Sequence, residues 1–336
     1  MENITLKHLA NQLGLSVATV SRALNDSYEI SEETKKKVQK LAKELNYQPN
    51  PFASFLKKHK SKTIALIIPD ISNNFFSQII KGVETVSQDL GYHVIICDSH
   101  ENSDKEQRII QHLISGRVDG ILISSSFETQ NDSYLLEIIK RKIPLVLFDR
   151  VSENLSVSTV VSNDYESSFL ATQHLIENNC KKIAFLKVGK NLSITEKRFK
   201  GYFDALQKNN IPYDEELIIE SSNNESENIN IIQKLIIEKK PDAIFATVEH
   251  LAISSYDVCK SLNIKIPEEI KIISYSNLAV ARHLNPSLTT ISQPAFEIGI
   301  KAAELLIQEI NAKTSLEQKE KIIINSSLMV RNSTVI

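Results

Sequence analysis

The chain has 336 residues, 42% hydrophobic and 24% charged, with 39 Lys and Arg against 41 Asp and Glu. This is the composition of a globular protein with room for more than one domain, and no run of about 18 apolar residues is present to span a membrane. The charge is divided unevenly: residues 1–62 carry 11 Lys/Arg against 6 Asp/Glu and the remainder 28 against 35, so a basic head, suited to phosphate, precedes an acidic body.

In chain order, Leu6, Leu9, Ala10 and Leu13 recur at helical spacing behind Thr5, a good N-cap, and Gly14 ends that helix. Ser16 can cap a second short helix whose Val20 and Leu24 point inward, leaving Ala18, Ser21, Arg22 and Asn25 on the outer face. A third helix begins at Ser31, with Glu32 and Glu33 in its first turn and Val38, Leu41, Ala42 and Leu45 facing inward. The short glycine-containing turn between the first two helices suits a helix-turn-helix, which brings its second helix forward for the major groove. Pro49 and Pro51 then interrupt helix, and Phe52–Leu56 with the lysines that follow reads as a linker holding a short helical insert.

From Thr63 the pattern changes to apolar runs at 64–68, 93–97, 121–123 and 145–148, alternating with amphipathic stretches near 75–90, 104–115 and 134–141. Strands near 183–188, 243–247 and 271–275 with intervening helices repeat it. Both series predict doubly wound parallel sheets covered on both faces. Ser103 with Glu106, and Ser193 with Glu196, fit capping boxes. After Pro286 a short strand, a long helix and a strand near 321–325 are expected to return to the first lobe. Two such lobes leave a cleft at the carboxyl ends of their strands, where open α/β sheets bind small ligands. Cys97, Cys180 and Cys259 match no C-x-x-C spacing and read as buried thiols, and the eight histidines are scattered, so neither a metal site nor a cofactor is expected. Phosphate-loop, nucleophile-elbow and zinc-protease signatures are absent, so no enzyme is expected.

The chain resembles the LacI/GalR family of bacterial transcription regulators over essentially its full length. The resemblance is carried by TLKHLANQLGLSVATVSRALN, ISEETKKKVQKLAKELNYQPN, IALIIPDISNNFF, RVDGILI, PLVLFDR, KRFKGY and LNPSLTTISQPAFEIG, in order. It implies an N-terminal all-α helix-turn-helix domain at 1–47, a hinge helix and linker at 48–62, and a periplasmic-binding-protein-like α/β core at 63–336. Lobe 1 of that core is expected at about 63–161 and 292–325, and lobe 2 at about 162–291. It places Val17, Ala18 and Arg22 at base edges, Arg22 being suited to guanine, and Thr5, Ser16, Thr19, Ser21 and Asn25 against phosphate and sugar. Asn50, Ala53 and Leu56 fall in the hinge, with Leu56 as a minor-groove wedge, although Ser54 stands where arginine is common and Phe55 is bulkier than usual.

For the cleft the resemblance implies Phe75, Phe76, Ser124, Arg150, Asn163, Asp164, Arg198, Phe245 and Ser276 around the effector, with Arg198, in its R-x-x-G pattern, as the strongest candidate. Ser276 stands where aspartate is frequent, and Val248-Glu249 where Asn-Asp is frequent, which counts against a neutral hexose; the expected effector is a sugar, an acidic sugar or a phosphosugar, the last two held by Arg150 and Arg198. A phosphoprotein co-regulator bound outside the cleft is the other partner weighed. The expected protein is a cytoplasmic, homodimeric regulator, of repressor type, that binds double-stranded operator DNA under effector control. A solute-binding receptor of the same core fold is the alternative, but it needs export and no DNA-binding head. A sugar-processing enzyme needs paired acid and base groups that no motif supplies. Few residues follow Val330, too few for a tetramerising coiled-coil tail.

Overall fold

The computed structural model describes residues 4–47, 61–126, 132–188, 192–222, 224–312 and 319–335. The chain separates into two compact units, Met1–Ser61 and Lys62–Ile336.

In the first unit, α1 (Leu6–Leu13), α2 (Val17–Leu24) and α3 (Glu32–Glu44) enclose a core of Leu9, Ala10, Val20, Ala23, Val38 and Ala42. Each helix start is capped by the hydroxyl that local chemistry favours. Thr5 accepts from the His8 N–H while the His8 ring accepts from Thr5 N–H, Ser16 accepts from Thr19 N–H at 3.0 Å, and Ser31 accepts from Thr34 N–H. Gly14 closes α1 in the left-handed conformation, φ 64°, which a β-carbon resists. Buried Lys35 ties Asp26 (2.7 Å) to Glu32 (2.8 Å) and so fixes the turn between α2 and α3.

The second unit holds two six-stranded sheets. The first, in the order β11-β5-β4-β3-β1-β2, is wholly parallel: β1 (Thr63–Ile68), β2 (His93–Asp98), β3 (Gly120–Ile123), β4 (Leu145–Phe148), β5 (Ser158–Ser162) and β11 (Lys321–Ile324). The second runs β12-β10-β9-β8-β6-β7, from β6 (Ile183–Lys187), β7 (Ile218–Glu220), β8 (Ala243–Ala246), β9 (Lys271–Tyr275), β10 (Thr289–Ser292) and an antiparallel β12 (Ser327–Met329). β1, β3, β4, β8 and β9 are almost entirely buried because helices cover both sheet faces. In the first lobe α4 (Asn74–Asp89) crosses α11 (Ala295–Asn311) where Gly82 and Gly299 let the backbones meet; a β-carbon on Gly82 would lie 2.2 Å from the Phe296 carbonyl oxygen.

Three features depart from the sequence expectation. The strand at Thr289–Ser292 stays in the second sheet beside β9, while the helix after it and β11 return to the first lobe. β12 then carries the chain end back to the second lobe, where Ser333 donates to the Ile272 carbonyl. Ser103 and Ser193 do not cap. Asn102 caps α5 (Ser103–Leu113), which leaves the buried Glu106 carboxylate to accept from Ser126 N–H and the Tyr134 hydroxyl. Ser193 is already the first residue of α8 (Ser193–Lys208), and its hydroxyl accepts instead from Val151 N–H at 3.4 Å.

Candidate functional site

Two sites emerge, one in each unit. On α2, Val17, Ala18, Arg22 and Asn25 are exposed and share the outer face, Val17 at 44% despite its apolar side chain. An exposed valine beside an arginine offers a groove both an apolar contact for a thymine methyl and a two-donor fork for guanine. Ser16 and Thr19, joined at 2.8 Å, secure the helix start, and Asn25 donates to the Ser21 carbonyl at 2.7 Å. Of the predicted phosphate-facing residues, Thr5 and Ser16 therefore already serve as caps. The Arg22 guanidinium pairs with Glu29 at 3.2 Å, a partner the sequence did not suggest. Asn50, Ala53 and Leu56, like all of 48–60, lie outside the described residues.

The second site lies between the lobes, at the carboxyl ends of the strands. Arg150 follows β4 and Arg198 sits on α8, both buried, and each is matched. Arg150 Nη1 donates to both Glu101 oxygens at 2.8 Å. Arg198 Nε donates to Asp164 Oδ1 at 2.7 Å and Nη1 to the Thr247 carbonyl at 2.8 Å, with the guanidinium 3.7 Å from the Tyr275 ring centre. Asp164 is itself buried at the head of α7 (Asp164–Glu177).

Two further carboxylates complete the floor. Asp149, buried and with φ 56°, is pushed up to about 6 by burial, against Arg150 and Arg198, which draw it down. Glu249, first residue of α10 (Glu249–Ser261), accepts from the Ser276 hydroxyl at 3.0 Å. Burial pushes its carboxyl above the usual range, the Asp70 carboxylate adds to that, and Ser276 and the Asn277 N–H pull it back. Among the described residues the Thr247 hydroxyl and Arg150 Nε are buried without a hydrogen-bond partner, and both border the cleft. Buried polar groups left unpaired are costly, so these two are positions for ligand atoms.

Phe75, Phe76, Arg150, Arg198 and Ser276 all line the cleft, with the Phe76 ring 5.7 Å from the Arg150 guanidinium. Three further predicted residues lie outside that lining. Phe245 packs behind Tyr275, its ring stacked at 6.0 Å and edge-on to Phe185 at 5.3 Å, because its place in β8 turns it into the sheet core. Asn163 belongs to the crossover between lobes, its side-chain oxygen accepting from Ser326 N–H at 2.7 Å. Ser124 is fully buried at the end of β3. The crossovers are knitted by amides: Gln293 donates to Ser162 Oγ at 3.0 Å, Asn277 to the Gln293 carbonyl at 2.7 Å, and Asn74 of the first lobe to the Asn277 carbonyl. Glu101, Asp149, Thr247 and Tyr275 are not among the residues named from the sequence, and Glu249 is named there only as a departure from Asn-Asp, although Asp149, Thr247 and Tyr275 stand at or just beyond the ends of apolar strand runs.

The Asp149 environment sets a pH dependence. Its folded pKa of about 6 lies above the ordinary 3.8, so the folded state holds the proton more tightly than the unfolded chain. Stability should therefore fall as pH rises from about 4 to about 6, by on the order of 3 kcal/mol, and then level off. Urea titrations across that range should show the slope in the wild type and lose it in Asp149→Asn; an unchanged slope in the variant would assign it to another group.

Comparison with known proteins gives a consistent result. Residues 61–332 match the family described as periplasmic binding proteins and sugar binding domain of the LacI family, and residues 5–50 the bacterial regulatory proteins of the lacI family. The HTH-type transcriptional repressor PurR of Vibrio atlanticus is 35% identical over 313 residues, 92% of each chain. A structure of the transcriptional regulator CelR in complex with cellobiose superposes with a TM-score of 0.74 at 26% identity, covering 98% of this chain and 99% of that one. The Lac repressor dimer bound to operator and the anti-inducer ONPF reaches 0.87 at 21% identity over the whole of both chains, a likeness of fold.

Proposed function

The chain belongs to the LacI family and is a DNA-binding transcriptional regulator with an effector-binding core, and we propose that its effector is a neutral, polyhydroxylated sugar held between the two lobes. One observation supports this most directly: the two cleft guanidiniums face four carboxylates, Glu101, Asp149, Asp164 and Glu249, the first three of which already pair with them. An anionic sugar would meet no unmatched cation, which removes the ground for the acidic-sugar and phosphosugar expectation. Hydroxyl groups, by contrast, both donate to Asp149 and Glu249 and accept from the Thr247 hydroxyl. The acceptor that Ser276 lacks is supplied by Glu249 beside it. The CelR relative is a cellobiose complex, which agrees with a neutral saccharide. A phosphoprotein co-regulator gains no site from this reading.

On the DNA side the reading is a cytoplasmic homodimer of repressor type, without turnover of its ligand. β2 is an edge strand that turns Ile95 outward, a surface a second copy can cover. Effector and operator affinities are coupled reciprocally. The test is selection from a random duplex library at fixed salt, with and without a panel of neutral sugars. The expected product is a site of two related half-sites, with a flexible pyrimidine-purine step at its centre if Leu56 wedges there. Enrichment of no site under either condition would overturn the reading. On the selected site, Arg22→Ala should cost about 1–3 kcal/mol and relax preference at one base pair per half-site; an equal loss on every variant site would make Arg22 a phosphate contact instead.

A further inference from the structure

Beside the inner cleft, and sharing Arg150 with its lining, lies an outer groove of about 720 Å³. That groove lies within the roughly 300–1,000 Å³ range of small-molecule seats. Its walls are the segment after β4 on one lobe and the outer face of α8 on the other. We infer that this groove is a second saccharide subsite, so that the effector is a sugar of at least two rings, a refinement that rests on the saccharide reading above.

The groove has the parts such a ring needs. Phe199 and Phe203, one helical turn apart on α8, hold their rings 6.2 Å apart at 31°, a tilted aromatic wall against which the apolar face of a pyranose can pack. Opposite them, the Ser125 hydroxyl and Arg150 Nε, in residues only 8% exposed, have no hydrogen-bond partner among the described residues. Ring hydroxyls satisfy both. Lys197 is bound to Glu153 across the two walls at 2.7 Å, so this lysine is already matched and the groove suits an uncharged occupant. Arg150 borders both compartments, so one side chain can meet a ligand in each.

The test is calorimetric titration of the full-length protein with glucose, galactose, xylose and ribose and with cellobiose, maltose, lactose and xylobiose. At least one disaccharide should bind tenfold or more tighter than either component sugar. Phe203→Ala should reduce that advantage below threefold while leaving monosaccharide affinity unchanged. Ser125→Ala, which removes only an unpartnered hydroxyl, reads the same contrast should the aromatic variant fail to fold. A monosaccharide that binds as tightly as the best disaccharide, or an advantage that survives both substitutions, overturns the subsite and leaves the saccharide reading standing. Binding of no sugar overturns both.

Discussion

Arg198→Ala should destabilise the second unit by about 3–5 kcal/mol and abolish sugar binding. Removing the guanidinium strands the Asp164 carboxylate, which is 2% exposed and relies on a 2.7 Å bond to Arg198 Nε. Breaking a buried pair from one side costs that much because the surviving charge is left without compensation, whereas the intact pair contributes far less than its Coulomb energy suggests. The Thr247 carbonyl loses its donor and Tyr275 the cation above its ring in the same step. Arg198→Met combined with Asp164→Leu removes both charges and should recover most of the stability while sugar binding stays absent. Urea denaturation of the three proteins followed by calorimetry separates the two effects. A loss below about 1 kcal/mol for the single variant would mean that the pair behaves as a solvated one.

The helix-turn-helix was legible almost residue by residue because its determinants are local: 3.6-residue spacing, three hydroxyl caps and one left-handed glycine. The apolar strands were legible for a similar reason, since a run such as Leu145–Phe148 is buried on both faces. β5 escaped notice because Ser158, Thr159 and Ser162 break the apolar run, and their burial depends on β11, drawn from the far end of the chain. β7 and β12 are three-residue edge strands with little pattern to read.

The cleft divided along the same line. Arg150 and Arg198 could be named from motifs, but their partners could not. Glu101 lies 49 residues before Arg150 and Asp164 lies 34 before Arg198, and the folded sheets and helices bring each pair together. Two arginines read without their partners point to an anionic ligand; seen with Glu101 and Asp164 their charges are matched, which is the ground for proposing a neutral one. Phe245 is separated from the cleft by depth along its strand: it pairs with Ile273, two residues before Tyr275 on the same sheet face, and so stops one pleat short. Tyr275, on the neighbouring strand β9, reaches the cleft that Phe245 only supports from behind.

Gly201→Ala should cost at least about 1–3 kcal/mol and weaken sugar binding beyond what the lost stability explains. A β-carbon at Gly201 would sit 2.3 Å from the Tyr165 carbonyl oxygen and 2.9 Å from the Phe169 backbone nitrogen. Both are backbone atoms of α7, so no side-chain rotation relieves the clash and the two helices must separate. Gly14→Ala offers the opposite case: its β-carbon meets nothing within 4 Å, and the cost comes from φ 64° alone, about 1 kcal/mol. At Gly201 the constraint is space. Gly201 is three residues beyond Arg198 in one helix, so the residue that lets α8 settle onto α7 shares a face with the residue that must reach Asp164 at the head of α7. The Ser168 hydroxyl, donating from α7 to the Arg198 carbonyl at 2.5 Å, fixes the same contact. Separation of the helices should therefore stretch the Arg198–Asp164 bond and move the guanidinium from its place over Tyr275. Calorimetry on Gly201→Ala at a temperature where it is fully folded should show weaker binding, and unchanged affinity there would mean that Arg198 holds its position without close approach of the two helices.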